Sequence, residues 1–494
     1  MLSIGHIDPN SEAPLYRQVY ESIREQIASG ELEDGFRLPA TRELAGQLGL
    51  NRTTISAAYE LLEHDGLITG HVGRGSFVAR PHPPRPGFTK RNQGGVNWRE
   101  LLDPTEAAVT PSAGAISFSA SRPSEHLFPI AEFRVTCAEV IAGPEVQTIL
   151  QLGSPAGYAP LRRYLLDLAR VEGEARESDD ILITSGCQQA FDLLQRTLAP
   201  NGETVLVEEP VYPGARHAFQ RARARVIGVP VGPEGIDLEA LEHALKTERP
   251  RLVILTPTFQ NPTGATMPQQ AREHLLRLAS RAGAVVIEND IYGALAYQGD
   301  TPPTLKRLDE SGDTVLLRSF SKLAFPGLRI GWVIGPRPLI QKLTEAKQWS
   351  DLHSDQLSQA VLLRFAESGR LEHHRQHVLQ TGGERLKAAL DACREYLPAG
   401  TVWTEPRGGM NLWVRLPQPL DAGELLPRAE REGVSYLPGK YFAVGRLDPG
   451  ALRLSFAGIT PAEIETGIRT LGRIFTEELE RVRAASDLEA PALV

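Results

Sequence analysis

The sequence predicts a chain of two unlike domains: a small helical one closed by a two-stranded hairpin, then a large α/β one on a mostly parallel sheet. Three observations carry this expectation. The 494 residues are too many for one hydrophobic core. Residues 13–81 are dense in helix signals and end in a glycine-rich hairpin. Residues 116–490 alternate short apolar runs (VLVEEP, RLVILTP, AVVIEND) with longer helical stretches, the pattern of strands joined by crossover helices. The stretch between them, RPHPPRPGFTKRNQGG, is rich in Pro, Gly and basic residues and marks 82–115 as a linker. Its Arg85, Lys90 and Arg91, like Arg80 just before it, read as a solvated tether.

Composition excludes several classes. No apolar run is long enough to span a bilayer, and the first residues lack the basic and apolar regions of a secretory signal. Cys137, Cys187 and Cys393 are odd in number and far apart, without metal-ligand spacing, so neither a disulfide framework nor a metal site is expected. This usage suits a reducing cytoplasm. The net charge of −8 gives no overall signature of nucleic-acid binding, so that question falls to local pattern.

In the first domain, Leu15, Val19, Ile23 and Ile27 recur at helical spacing, which predicts an amphipathic helix over 14–28. Gly30 and Gly35 bracket a turn. Pro39 and Thr41 suit the start of a second helix, with Thr41 as its cap, Leu44 and Leu48 inward, and Gly49 at its end. Asn51 is a good N-cap for a third, carrying Ile55, Tyr59 and Leu62 on one side. Helix, short turn and helix at this spacing is the helix-turn-helix plan. LITGHVGRGSFVA then reads as a wing of two short strands with Arg74 at its tip. Gly35, Leu38, Pro39, Arg42, Leu44, Ala45, Arg52, Thr54, Tyr59, Leu62, Gly66, Leu67, Ile68, Gly73, Gly75, Phe77 and Val78 follow the pattern of the GntR-type winged helix, which this module closely resembles. The resemblance implies double-stranded DNA as partner, with Arg42, Arg52, Thr53, Thr54 and Arg74 at the contact surface. The module carries 7 Lys and Arg against 9 Asp and Glu, so binding depends on where the arginines point.

The second domain holds the residue types that a phosphorylated aromatic aldehyde needs. These are a lysine to form an imine, hydroxyls, backbone N–H groups and an arginine for the phosphate, and partners for the ring. In LLRSFSKLAFPGLRIGW, Ser319 and Ser321 flank Lys322, and Arg329 follows. In ILITSGCQQAFDLL, a strand and a glycine turn open a helix whose first N–H groups, at Gly186, Cys187 and Gln188, would cradle a phosphate. A lone lysine is ordinarily a surface ammonium. Here S-x-S-K-x-x-x-P-G-L-R-x-G resembles the motif of class I aminotransferases of fold type I, and the likeness runs in order through 116–490.

That resemblance implies pyridoxal 5'-phosphate as cofactor on Lys322. It implies Tyr212 stacked on the ring, Asn261 at the ring oxygen, Tyr158 near the partner subunit's cofactor, and Arg453 on a ligand carboxylate. One departure stands out. The family places an Asp three residues before the Tyr of the D-D-x-Y-like segment, to keep the pyridine nitrogen protonated. VIENDIYGAL has Asn289 at that offset from Tyr292, with Asp290 next. Either Asp290 turns to the ring, or the site is a weaker electron sink, better suited to sensing than to turnover.

A GntR-type head followed by an aminotransferase-like domain is similar in plan to the MocR/GabR subfamily of transcriptional regulators. The resemblance implies a homodimer that reads a DNA operator and responds to an amine, an amino acid or pyridoxal phosphate itself. The alternative is a working aminotransferase carrying a tethered DNA-binding head.

Overall fold

The computed structural model describes residues 14–33, 35–64, 67–71, 75–78 and 115–489. The linker 82–115 therefore lies outside the described residues except for its last position, and so does Arg74. The chain divides into two compact units, Met1–Thr110 and Pro111–Val494.

In the first unit three helices, α1 (Leu15–Ser29), α2 (Thr41–Leu48) and α3 (Arg52–His64), precede a hairpin of β1 (Ile68–His71) and β2 (Gly75–Val78). Val19, Ile23, Ile27, Leu44, Ile55, Tyr59 and Leu62 close one apolar core, as their helical spacing requires. Gly30 ends α1 in the left-handed conformation, at φ 82°, where a glycine carries no Cβ penalty. Asn51 caps α3 by accepting from the Thr53 N–H at 3.1 Å. Thr41 departs from its expected role. It is already the first residue of α2, after an extended Ala40, and no side chain caps that end. The Tyr59 hydroxyl ties α3 to the turn before α2 by donating to the Pro39 carbonyl at 2.9 Å. The wing gains a third edge, because Gly35, Leu38 and Val78 exchange backbone hydrogen bonds with Val78, Ser76 and Phe36.

The second unit is built on an eight-stranded sheet in the order β4-β11-β10-β9-β8-β5-β6-β7. The strands are β4 (Asp179–Thr184), β5 (Thr204–Glu209), β6 (Arg225–Gly232), β7 (Gly235–Ile236), β8 (Leu252–Leu255), β9 (Val285–Asn289), β10 (Thr314–Ser319) and β11 (Gly331–Pro336). The run β10-β9-β8-β5-β6 is parallel, whereas β11 lies antiparallel to both β10 and β4. Helices cover both faces, which is why these strands read as continuous apolar runs. Alternation along β9 sorts its side chains: Ile287 joins the core under the helices Cys187–Leu198 and Pro213–Gln220, and Val286 joins the core of the opposite face.

A smaller subdomain completes this unit. Its antiparallel sheet runs β12-β13-β16-β15, from β12 (Val402–Trp403), β13 (Asn411–Arg415), β15 (Leu437–Pro438) and β16 (Ala451–Ser455). A short parallel pair joins β14 (Val434–Ser435) to β3 (Ile116–Ser117), bringing the start of the domain against its end. The last helix runs Pro461–Glu489.

Candidate functional site

The C-terminal ends of the central strands carry the site, as is usual for open α/β sheets. Strand β10 ends at Ser319, and a single turn, Phe320–Lys322, follows. Ser319 caps that turn: its hydroxyl accepts from the Ser321 N–H at 3.0 Å, donates to the Ile330 carbonyl at 2.9 Å and shares a hydrogen bond of 2.8 Å with Ser321 Oγ. The cap fixes the direction in which Lys322 leaves the sheet. Lys322 Nζ donates to the Ser121 carbonyl at 2.6 Å and lies 5.8 Å from the centre of the Tyr292 ring. The buried Tyr292 hydroxyl shares a hydrogen bond of 3.2 Å with Ser121 Oγ. Sequence reasoning did not find Ser121, which sits in an edge segment without a local motif.

Gly186 opens the helix Cys187–Leu198 at φ 80°, and a Cβ there would come within 2.3 Å of the Arg329 guanidinium. Only glycine lets that cation lie over the turn. Arg329 donates to the Ser185 carbonyl at 3.2 Å and approaches Ser321 Oγ at 3.5 Å. The exposed Gln188 donates to the Gly214 carbonyl at 3.0 Å, beside Tyr212. Tyr212 Oη reaches Gln188 Oε1 at 3.5 Å, and burial raises the phenol above its ordinary value. Cys187 turns its thiol to the Arg318 carbonyl at 3.6 Å, and burial pushes the thiol up to about 12, so it is no thiolate nucleophile. A helix N-terminus, two hydroxyls and a guanidinium converge here as donors for a dianion. The residues fit a phosphate-bearing cofactor with an amine-reactive carbonyl beside Lys322.

Asn289 and Asp290 part company. Asn289 shares the Ile287 face of β9, toward the helices that carry Cys187 and Tyr212. Its Nδ2 donates to Thr256 Oγ1 at 3.2 Å, while its buried Oδ1 has no partner. Asp290 is engaged elsewhere: its carboxylate accepts from Arg318 at 2.8 Å, and Arg318 also holds Glu174. Burial raises the Glu174 carboxyl to about 7 despite that arginine. The structure thus brings Asn289, not Asp290, to the site face. Thr256 and Arg318, which enforce this, have no motif of their own.

Arg453 projects from β16 across the subdomain boundary. Its guanidinium donates to Asn261 Oδ1 at 3.0 Å and to the Ser119 carbonyl, and lies 5.0 Å from the Phe442 ring. Nε is buried without a partner, and burial lowers the group to about 10. Tyr158 is not part of this cluster. It begins the helix Ala159–Val171, and its hydroxyl donates to Glu145 at 2.7 Å.

In the first unit, Arg42 and Arg52 are exposed near the starts of α2 and α3, and Thr53 and Thr54 follow half-buried. The N-terminus of the second helix of the pair is where such motifs meet base edges.

Fold and site define a winged-helix module joined to an aminotransferase-type domain. Residues 15–78 match the family model for bacterial regulatory proteins of the gntR family, and residues 137–471 match aminotransferase class I and II. The chain is 31% identical to the uncharacterized HTH-type transcriptional regulator YdfD of Bacillus subtilis, over 95% of this chain and 98% of that protein. It is 38% identical to the 2-aminoadipate transaminase of Thermus thermophilus, over 76% of this chain and 92% of the relative. Among solved structures, the kynurenine aminotransferase of Pyrococcus horikoshii, in complex with PMP, superposes with a TM-score of 0.72 at 37% identity, covering 74% of this chain and 92% of that one. The chain belongs to the aminotransferase class I and II family, among the MocR-like proteins that carry a GntR-type helix-turn-helix head.

Proposed function

We propose that this protein is a transcriptional regulator that binds operator DNA through its winged helix and senses a small amine-bearing ligand through pyridoxal phosphate held at Lys322. The observation that carries the reading is the assembly of Lys322, Tyr292, Asn289 and the Gly186–Arg329 cradle on a chain whose first unit is a winged helix. Bound there, pyridoxal phosphate supplies an aldehyde that condenses reversibly with amines, on an electron-withdrawing ring.

The chain's own residues have distinct tasks. Ser319, Ser321, Arg329 and the N–H groups of Gly186, Cys187 and Gln188 hold the phosphate. Tyr212 would hold the ring, and Asn261 and Tyr292 would offer it hydrogen-bonding groups. Lys322 Nζ, held at the Ser121 carbonyl, would supply the amine that holds the cofactor. Arg453 receives a ligand carboxylate in exchange for Asn261 and the Ser119 carbonyl. Asn289 offers an amide oxygen where the enzymes carry a carboxylate. An amide accepts a hydrogen bond but brings no negative charge, so proton loss from a bound ligand is poorly supported.

Tyr158 acts across a homodimer, and that dimer presents two reading heads to two half-sites in the cytoplasm. Ligand binding changes DNA affinity because the two dimer arrangements differ in affinity for the ligand. The sensed ligand is an amine, an amino acid or the cofactor itself. A second reading, turnover as an aminotransferase, draws on the retained Lys322, Tyr292 and Arg453 and on the transaminase relatives; Asn289 weighs against it.

The test is spectroscopic. Wild-type protein mixed with pyridoxal phosphate should turn yellow, and amino acids should shift the band without multiple turnover when a keto acid is added. A colourless protein refutes the reading, and rapid turnover without DNA favours the enzyme.

A further inference from the structure

Strands β13 and β16 pair with Asn411 opposite Ser455 and Trp413 opposite Arg453. Directly opposed residues share a face of the sheet. Leu412, Val414, Leu452 and Leu454 lie in the small subdomain's core, so Asn411 and Arg453 look the other way, toward the loop that carries Asn261. The bond from Arg453 to Asn261 shows this for Arg453, and the strand at Asn411 runs close to the same loop: a Cβ on Gly264 would stand 3.1 Å from the Asn411 backbone carbonyl.

Asn411 is 1% exposed, and neither atom of its amide has a hydrogen-bond partner. Among the described residues seven buried side-chain polar atoms are unpartnered, and four of them belong to Asn289, Asn411 and Arg453. Folded proteins rarely leave a buried amide wholly unpaired. A leucine would occupy a similar volume without that cost. More than half of the unmet donors and acceptors thus fall on three residues, two of which, Asn411 and Arg453, share one face of the paired strands β13 and β16.

We propose that Asn411 is a specificity-determining residue that reads an uncharged hydrogen-bonding group, a carboxamide above all, on the side chain of an amino acid held by Arg453. The inference rests on the reading of Arg453 as the carboxylate clamp. A carboxamide meets both Asn411 atoms, donor to acceptor and acceptor to donor. A side-chain carboxylate would meet only Nδ2 and would place a second charge in the same dry cleft, and an alkyl chain would leave both atoms unmet.

The experiment uses full-length protein reconstituted with pyridoxal phosphate. It is titrated with L-glutamine, L-glutamate and L-norleucine, following the cofactor absorbance. Wild type should bind glutamine at least about tenfold more tightly than norleucine, and more tightly than glutamate. Asn411→Leu should erase the preference for glutamine over norleucine, and its ligand-free melting temperature should equal or exceed wild type. An unchanged ratio in Asn411→Leu, or a wild-type preference for glutamate, overturns the inference while leaving the amino-acid site standing. A lower melting temperature in the variant marks the amide, or a water on it, as part of the fold and also overturns it. Absence of any spectral response in wild type sinks the reading of the site itself, and this inference with it.

Discussion

Asn289→Asp restores the carboxylate that aminotransferases carry, and the structure sets its cost. Asn289 is 3% exposed, and its Oδ1 has no donor. A carboxylate put there in the cofactor-free protein is buried with the Thr256 hydroxyl as its visible partner. Glu208 on the nearby β5 calibrates the effect: burial pushes it up to about 8, although it accepts from the Thr256 N–H and from Gln260. A similar rise for the introduced carboxyl group, from about 3.9, is worth roughly 3–5 kcal/mol, a large share of a typical domain's stability. The sign follows from linkage. Below about pH 4 both folded and unfolded variant are protonated, and no ionic penalty exists. As the pH rises toward 8 the unfolded chain releases its proton while the folded one keeps it, so stability falls relative to wild type. Thermal melting of the cofactor-free proteins from pH 5 to 8 should therefore show a widening gap. Pyridoxal phosphate should narrow it, because a protonated ring nitrogen compensates the carboxylate. Asp290→Asn is the control. It strips Arg318 of one buried partner, should cost roughly 3 kcal/mol, and should leave the cofactor band in place. A pH profile of Asn289→Asp parallel to wild type, or a penalty that the cofactor does not relieve, would falsify the placement of Asn289 at the ring.

Two further outcomes concern the reading head. Arg52→Ala, exposed at the start of α3, should weaken operator binding by about 1–3 kcal/mol and flatten its salt dependence, leaving the cofactor spectrum intact; unchanged affinity at moderate salt removes Arg52 from the contact surface. Tyr59→Phe deletes the bond to the Pro39 carbonyl and should destabilise the winged helix by about 1 kcal/mol, seen as a lower melting temperature for that unit; an unchanged melt shows that the tie between α3 and the preceding turn is energetically idle.

Much of this was legible before any coordinates. Helical spacing placed α1 within a residue at each end, because amphipathic periodicity is enforced by a single buried face, and the Asn51 cap placed the start of α3. The Lys322 and Gly186 segments were readable because their chemistry is local: a serine cap, a glycine turn and a helix start sit within a few residues of one another. Thr41 misled because a residue able to cap can equally well begin a helix. The choice between Asn289 and Asp290 was closed to sequence reasoning. It depends on Arg318 and Glu174, 28 and 116 residues away, which claim Asp290 for the other face of the sheet. Ser121 and Asn411 were invisible for the same reason, since their partners and their want of partners appear only when distant segments meet.

The central claim is that chemistry at Lys322 governs the hold on DNA. It is tested most directly by fluorescence anisotropy on a duplex that the protein itself selects from a random pool. Titrations should be run with and without pyridoxal phosphate and amino acid, for wild type and Lys322→Ala. The account predicts a ligand-dependent change in affinity for wild type and none for the variant, whose winged helix still binds. Equal responses in both proteins, or none in either, would contradict it.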